Sequence, residues 1–121
     1  MSPRILVIED QEDNRRILRD LLTSAGYEVI EAVTGEEGVA VAETHRPDLI
    51  LMDIQLPDLD GYEATRRIKA NPALRHIPLI AVTSYALSGD DVKALEAGCD
   101  GYVAKPFSPR ALLAKIREYL P

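Results

Sequence analysis

DLILMD, at residues 48–53, is a nearly continuous apolar run that ends in an aspartate, and RILVIE at 4–9 and LIAVT at 79–83 have the same character. Half-buried strands alternate apolar and polar residues, whereas short continuous apolar runs are typical of strands buried on both faces of a parallel sheet. Tyr27 to Ala32 and Gly101 to Ala104 are two further, shorter strand patterns. The sequence therefore predicts five strands, with helices covering both faces of the sheet.

The clearest helical pattern runs from Asp13 to Ala25 and stops at Gly26, a residue type that readily closes helices. Its predicted inward stripe consists of Ile17, Leu18, Leu21, Leu22 and Ala25. Four more helices are predicted from their start and stop residues: one from Thr34 with Glu37, one from Gly61 to Ala70, one from Ser88 with Asp91 to Gly98, and one from Ser108 with Pro109. This alternation predicts a single α/β domain, residues 1–121, built on a doubly wound parallel sheet.

The charge balance argues against two classes of partner. The formal net charge is −6 and the pI is about 4.9, so the chain lacks the basic surface with which proteins bind nucleic acids or anionic membranes. The one cysteine, Cys99, has no disulfide partner in the chain, which fits a reducing compartment, and we predict a packing role for it. Because no segment resembles a signal peptide or a membrane span, the expected location is the cytoplasm.

Polar side chains follow the predicted strands at the edge where open parallel sheets bind their ligands. They are Glu9 and Asp10 after the first strand, Asp53 at the end of the third, Thr83 at the end of the fourth and Lys105 after the fifth. Clustered carboxylates repel one another unless a hard cation such as Mg²⁺ neutralises them, and a lysine with a hydroxyl group suits a phosphoryl group. Asp53, at the end of the most apolar run, is the best candidate for a nucleophile that forms an aspartyl phosphate.

Each of these residues also has an ordinary structural interpretation. Asp53 by itself is equally compatible with a turn, the acidic pair with a helix cap, and Lys105 with a solvated loop. Only their joint arrangement favours a functional site. We assign no function to His45 or His76, and we interpret Arg15-Arg16 as a solvated helix face, with contact to a phosphodonor protein as the alternative.

Four motifs together resemble the receiver domains of two-component response regulators: VIED at 7–10, LILMDIQLPDLDG at 49–61, AVTS at 81–84 and KPF at 105–107. Each motif alone is weak, but their order, spacing and placement at strand ends extend the resemblance over nearly the whole chain. It implies a flavodoxin-like sheet with strand order 2-1-3-4-5. Asn14, the Glu-Asp pair and LILMDIQLP are more similar to single-domain, cell-cycle-type receivers and hybrid-kinase receivers than to the chemotaxis or DNA-binding branches.

The resemblance implies that Asp53 is the phosphoacceptor and that Mg²⁺, with Mn²⁺ as the alternative cation, is the cofactor. In the family pattern, Asp10, Asp53 and the backbone carbonyl of Gln55 are direct metal ligands. Glu9 then acts on the metal through water.

A switch is also implied by the resemblance. Lys105 pairs with one phosphoryl oxygen, Thr83 donates a hydrogen bond to another, and an aromatic residue at the position of Tyr102 turns inward when the threonine moves. Without such a switch, Tyr102 would be an ordinary half-buried strand residue. The Lys105-Pro106 bond is a candidate for a cis peptide.

Such a domain would receive its phosphoryl group from a sensor histidine kinase or a histidine phosphotransferase. It would signal to a downstream protein through the face built by residues 88–120, as a monomer or weak dimer. Its chemistry would be limited to self-phosphorylation from a donor and to autodephosphorylation, so it would not be an enzyme with outside substrates. The alternative is a receiver-fold interaction module that acts without phosphorylation.

Two other functions share this fold but need different residues. A flavodoxin-like electron carrier should have a hydroxyl- and glycine-rich loop for the flavin phosphate, whereas the loop EDQEDN at 9–14 would repel that phosphate. A phosphatase with an aspartyl nucleophile usually has an aspartate two residues after it, where this chain has Gln55. Both functions are therefore disfavoured.

Overall fold

The computed structural model describes residues 2–54, 61–83, 96–105 and 107–120, and within these ranges it leaves out the side chain of Thr83. The elements in chain order are β1 (Arg4–Ile8), α1 (Glu12–Ser24), β2 (Glu28–Ala32), α2 (Gly35–His45), β3 (Leu49–Asp53), α3 (Gly61–Ala70), β4 (Leu79–Thr83), β5 (Gly101–Ala104) and α4 (Pro109–Arg117). The predicted helix from Ser88, the backbone of Gln55 and the Lys105-Pro106 bond lie outside the described residues.

All five strands belong to one parallel sheet with the order β2-β1-β3-β4-β5. Every residue of β3 is buried and four of the five residues of β1 are buried, whereas the edge strand β2 is largely half-buried. The predicted fold and strand order are therefore confirmed. Continuous apolar runs marked the central strands because both faces of those strands are covered.

The two faces of the sheet carry separate apolar clusters. Helices α1 and α4 pack on one face, where Leu22 and Ile116 meet alternate residues of β1 such as Val7. Helices α2 and α3 pack on the other face, where Ile68 meets Ile8 and the buried Cys99. Since successive strand residues point to opposite faces, each central strand contributes to both clusters. Cys99 has the packing role that we predicted.

Helix α1 lies within one residue of its predicted position and is followed by Gly26, whose φ of +95° is the expected left-handed conformation. The predicted inward stripe is wrong at two residues, of which the first is Ile17, at 59% exposed. Consecutive helix residues are about 100° apart, so a face centred on the buried Leu18 turns Ile17 to the side. Ala25, the other misassigned member, is exposed at the end of the helix.

Two helix starts have the predicted capping residues. The Thr34 hydroxyl accepts a hydrogen bond from the backbone N–H of Glu37 at 3.1 Å and begins α2. The Ser108 hydroxyl accepts one from the backbone N–H of Ala111 at 3.0 Å, with Pro109 in the first turn of α4. Such caps satisfy backbone donors that a helix leaves unpaired.

Candidate functional site

Three carboxylates meet at the carboxyl end of the sheet, in the crevice where the strand order reverses between β1 and β3. Glu9 and Asp10 follow β1, and Asp53 is the last residue of β3. Each of the three offers an oxygen that lies within 4.8 Å of the others. Glu9 is only 2% exposed and Asp53 only 6% exposed. The structure thus brings together the three acidic residues that the sequence placed at this edge.

The position of Asp53 is set by close backbone packing. Asp53 pairs with Val82 in the register of β3 and β4, and Gly61 begins α3 directly against it. The Gly61 N–H donates a hydrogen bond to the carbonyl of Ile54 at 3.1 Å. A Cβ atom at Gly61 would lie 2.6 Å from the Asp53 carbonyl oxygen, so only glycine allows this approach. The Asp53 carboxylate therefore projects from a rigid base.

Lys105 places its ammonium group against the carboxylates. Its Nζ lies 3.2 Å from Glu9 Oε1 and 3.9 Å from Asp53 Oδ2. Among the described residues, this one ammonium group lies against a cluster of three carboxylates, so the cluster has a surplus of negative charge. Like charges held this close destabilise one another unless a cation compensates them.

Glu9 is held in its ionised form. Burial alone raises the pKa of its carboxyl, but this effect is outweighed by the hydrogen bond from the backbone N–H of Gln11 and by the charge and hydrogen bond of Lys105. The resulting pKa lies below its ordinary value. The Gln11 hydrogen bond measures 3.1 Å to Glu9 Oε2. Glu9 therefore carries charge at neutral pH.

The chemistry of this donor set fits a hard divalent cation. All three side chains offer carboxylate oxygens, the ligands that Mg²⁺ prefers, and their negative surplus is what a divalent charge would offset. No histidine or cysteine is a member of the cluster.

The predicted switch residues are only partly described. Tyr102 lies on β5, in register with Ala81 of β4. It is 37% exposed, so its ring lies at the surface. Thr83 ends β4 and pairs with Ala104. Its hydroxyl, the carbonyl of Gln55 and Pro106 are outside the described residues.

Arg15 is the site residue that sequence reasoning missed. We interpreted it as part of a solvated helix face, but its side chain is only 15% exposed and its Nη1 donates to the carbonyl oxygens of Glu9 at 2.9 Å and Asp10 at 3.0 Å. Arg16, its neighbour, is solvated as predicted, with a side chain that is 63% exposed. The missed signal was helical spacing. Arg15 lies three residues before the buried Leu18, and residues three apart share one face of a helix, so the arginine lies on the inward side of α1.

A wide cavity lies at the other edge of the sheet. Its volume is about 750 Å³, and it is lined by Ser2, Arg4, Thr23, Tyr27, Glu28, Val29 and Asp48. The space beside Glu9 and Asp53 measures only about 10 Å³. Charge, not cavity size, therefore distinguishes the carboxylate cluster.

Comparison with known proteins places these residues in context. The family model of the response regulator receiver domain matches residues 5–117. The polar-differentiation response regulator DivK of Brucella anthropi is 44% identical over 120 residues, covering 99% of this chain and 98% of that protein. This similarity covers the whole carboxyl-end cluster.

Solved structures show the same similarity. The receiver domain of the sensor histidine kinase PA1611 from Pseudomonas aeruginosa PAO1, which has a magnesium ion in its active site cleft, superposes with a TM-score of 0.93 at 41% identity, over 99% of this chain and 98% of that one. The chemotaxis protein CheY4 of Vibrio cholerae gives 0.92 at 26% identity, over 98% and 99%. The predicted similarity to single-domain and kinase receivers is confirmed.

Proposed function

Because the chain belongs to the response regulator receiver domain family, we propose that it takes a phosphoryl group onto Asp53 beside a bound Mg²⁺ and then changes its preference for partner proteins. Receiver domains act in phosphorelay signalling and are signalling modules, not classical enzymes. The observation that carries the proposal is the cluster of three carboxylates with Lys105 at the crevice between β1 and β3.

Asp53 is the nucleophile in this proposal. One carboxylate oxygen forms the new P–O bond while the P–N bond of a donor phosphohistidine breaks, and the released imidazole keeps the electron pair and takes up a proton. Support comes from the buried position of Asp53 and from the rigid backbone below it. A nucleophile that is already oriented avoids part of the entropic cost of the transfer.

Asp10, Asp53 and the backbone carbonyl of Gln55 would hold the cation directly, and Glu9 would act through water. Bound Mg²⁺ supplies positive charge that offsets the repulsion between the carboxylate and the incoming phosphoryl group. The magnesium in the cleft of the Pseudomonas receiver supports this choice of cation, with Mn²⁺ as the alternative.

Lys105 and Thr83 would bind the phosphoryl oxygens in the product. The Lys105 ammonium already lies 3.9 Å from Asp53 Oδ2, which is close enough to pair with a group added there. If Thr83 moves toward that group, Tyr102 can leave the surface and occupy the vacated space. Phosphorylation would thereby alter the face built by residues 88–120.

Receiver domains work with histidine kinases or phosphotransferases and with downstream effectors. In this proposal the donor is a sensor histidine kinase or a histidine phosphotransferase, and the downstream protein binds the 88–120 face of a monomer or weak dimer. Chemistry within the chain is limited to self-phosphorylation and autodephosphorylation.

Among the described residues, no helix is long and apolar enough to cross a membrane.

Intact mass after incubation with acetyl phosphate and Mg²⁺ tests the acceptor. The wild type should gain one phosphoryl group, and Asp53→Asn should gain none. Asp13→Asn, whose carboxylate is exposed on α1, is the matched control and should label like the wild type. A phosphate on Asp53→Asn, or full labelling in excess EDTA, would refute the assignment of the acceptor or of the metal. An unlabelled wild type would favour the phosphorylation-independent interaction module.

Amide NMR spectra test the switch. Beryllofluoride, a mimic of the phosphoryl group on Asp53, should shift many resonances between residues 84 and 120 in the wild type. Thr83→Ala should still bind beryllofluoride but show much smaller shifts in that region, because the hydroxyl that couples to Tyr102 is missing. Equal shifts in the two proteins would contradict this route while leaving Asp53 as the acceptor.

A further inference from the structure

Arg15 links helix α1 to the loop that carries the acidic pair. Its Nη1 donates to the backbone carbonyls of both Glu9 and Asp10, at 2.9 and 3.0 Å. The Glu9 N–H is bonded to the carbonyl of Ala32 in β2 at 3.1 Å. The backbone of the loop is thus held from both sides, and its two carboxylates are left to face the crevice.

A second contact fixes Arg15 itself. Its Nε lies 3.5 Å from Glu31 Oε1 on β2, and Arg19 Nη1 contacts both oxygens of the same carboxylate at 3.1 and 2.9 Å. Glu31 is therefore a shared anchor for two arginines on α1. A guanidinium held in this way keeps its planar set of donors directed at the loop.

From this geometry we infer that Arg15 is a positioning residue that sets the affinity of the acidic cluster for a divalent cation. This inference rests on the proposed function, because it concerns the same metal site. Arg15 contacts only the backbone of the two acidic residues, so it acts through their placement. Groups that orient metal ligands typically change metal affinity by 10-fold to 100-fold when they are removed.

The sign of the effect separates positioning from charge. Removing a positive charge near a cation site would by electrostatics alone strengthen cation binding. Loss of positioning would weaken it, because the freed loop must be ordered again when the ion binds. Arg15→Ala should therefore show weaker binding, against the direction that its charge predicts.

The experiment is a Mg²⁺ titration of the unphosphorylated protein, followed by the amide NMR shifts of Glu9, Asp10 and Asp53. Arg15→Ala should raise the half-saturating Mg²⁺ concentration about tenfold, and Arg15→Lys should lie between it and the wild type. Arg16→Ala is the matched control, since that residue is the solvated neighbour on the same helix. It should titrate like the wild type.

Arg15→Lys is the decisive variant if Arg15→Ala folds poorly, because it keeps the positive charge and loses the planar set of donors. It should raise the half-saturating Mg²⁺ concentration by a smaller factor. Wild-type affinity or tighter binding in Arg15→Ala, or in Arg15→Lys where the first variant is unfolded, would overturn the inference alone. A wild type without saturable Mg²⁺ shifts would overturn the proposed metal site together with the inference.

Discussion

Two lysine–carboxylate pairs lie at opposite edges of the sheet. At the carboxyl edge, Lys105 contacts Glu9 at 3.2 Å and Asp53 at 3.9 Å. At the amino edge, Lys69 contacts Asp100 at 2.8 Å and also donates to the carbonyl oxygens of Arg75 at 3.1 Å and Ile77 at 2.8 Å. Both pairs join distant parts of the chain, but they differ in how completely their charges and hydrogen bonds are matched.

The amino-edge pair is balanced. All three ammonium protons of Lys69 have acceptors, and Asp100 Oδ2 also accepts from the backbone N–H of Leu79. Within the described parts of the chain, the carboxyl-edge cluster has one lysine for three carboxylates. A matched pair stabilises the fold, whereas a charge surplus held in a rigid crevice is a feature of a site that binds an ion.

The largest effect is expected from Gly61→Ala. The new Cβ would lie 2.6 Å from both the Asp53 carbonyl oxygen and Ile54 Cα, and neither backbone atom can move aside alone. Unfolding in urea should show a loss of about 3 kcal/mol or more, and the folded fraction should label poorly. Gly26→Ala is the control at the amino edge: open space surrounds it, so it should lose only about 1 kcal/mol, from its φ of +95°.

The second-largest effect is expected from Lys69→Met. It keeps the apolar stem but removes the donors to the carbonyl oxygens of Arg75 and Ile77 and to the carboxylate of Asp100, and we expect a loss of about 2 kcal/mol in the free energy of unfolding. Labelling of the folded protein should be unchanged.

Lys105→Met should show the opposite profile, with impaired labelling. Lys115→Met, which removes one 3.7 Å contact with Glu118, should cost less than about 1 kcal/mol. Loss of phosphoryl labelling in Lys69→Met would contradict the contrast between the two edges of the sheet.

Cys99, next to Asp100, makes the amino edge sensitive to alkaline pH. Burial raises the pKa of its thiol from 9.0 to about 11. The folded state therefore retains a proton that the unfolded state loses, so the stabilisation is complete below pH 9 and is lost as the pH rises toward 11. The loss should be on the order of 2 kcal/mol. Urea unfolding between pH 8 and 11 should show it relative to Cys99→Ala, and parallel curves for the two proteins would contradict it.

The smallest expected effect is a change in the free energy of unfolding that has opposite signs at the two edges of the sheet. In EDTA, Asp10→Asn should raise the free energy of unfolding by about 1 kcal/mol, because it removes one of three mutually repelling charges. Asp100→Asn should lower it, because it weakens a matched pair. Thermal unfolding of both variants measures the two signs. A destabilised Asp10→Asn would mean that the acidic cluster is not strained by its own charge.

The sequence by itself determined the strands, the described helices and the edge at which the acidic residues meet. Continuous apolar runs identify strands covered on both faces, and Thr34, Gly26 and Ser108 mark helix ends, because these signals depend on neighbouring residues. Convergence of Glu9, Asp10, Asp53 and Lys105 then follows from parallel topology alone, since the carboxyl ends of parallel strands share one edge.

Tertiary structure decided what depends on distance and direction between elements. Arg15 and Ile17 were both misassigned because the inward face of α1 is set by how the helix rests on β1 and β2, and a rotation of a few tens of degrees exchanges buried for exposed positions. Lys69 and Asp100 are 31 residues apart, so no local pattern announces their pairing. The need for glycine at position 61 likewise arises only where α3 meets the end of β3, because atoms of separate elements approach there within ångströms.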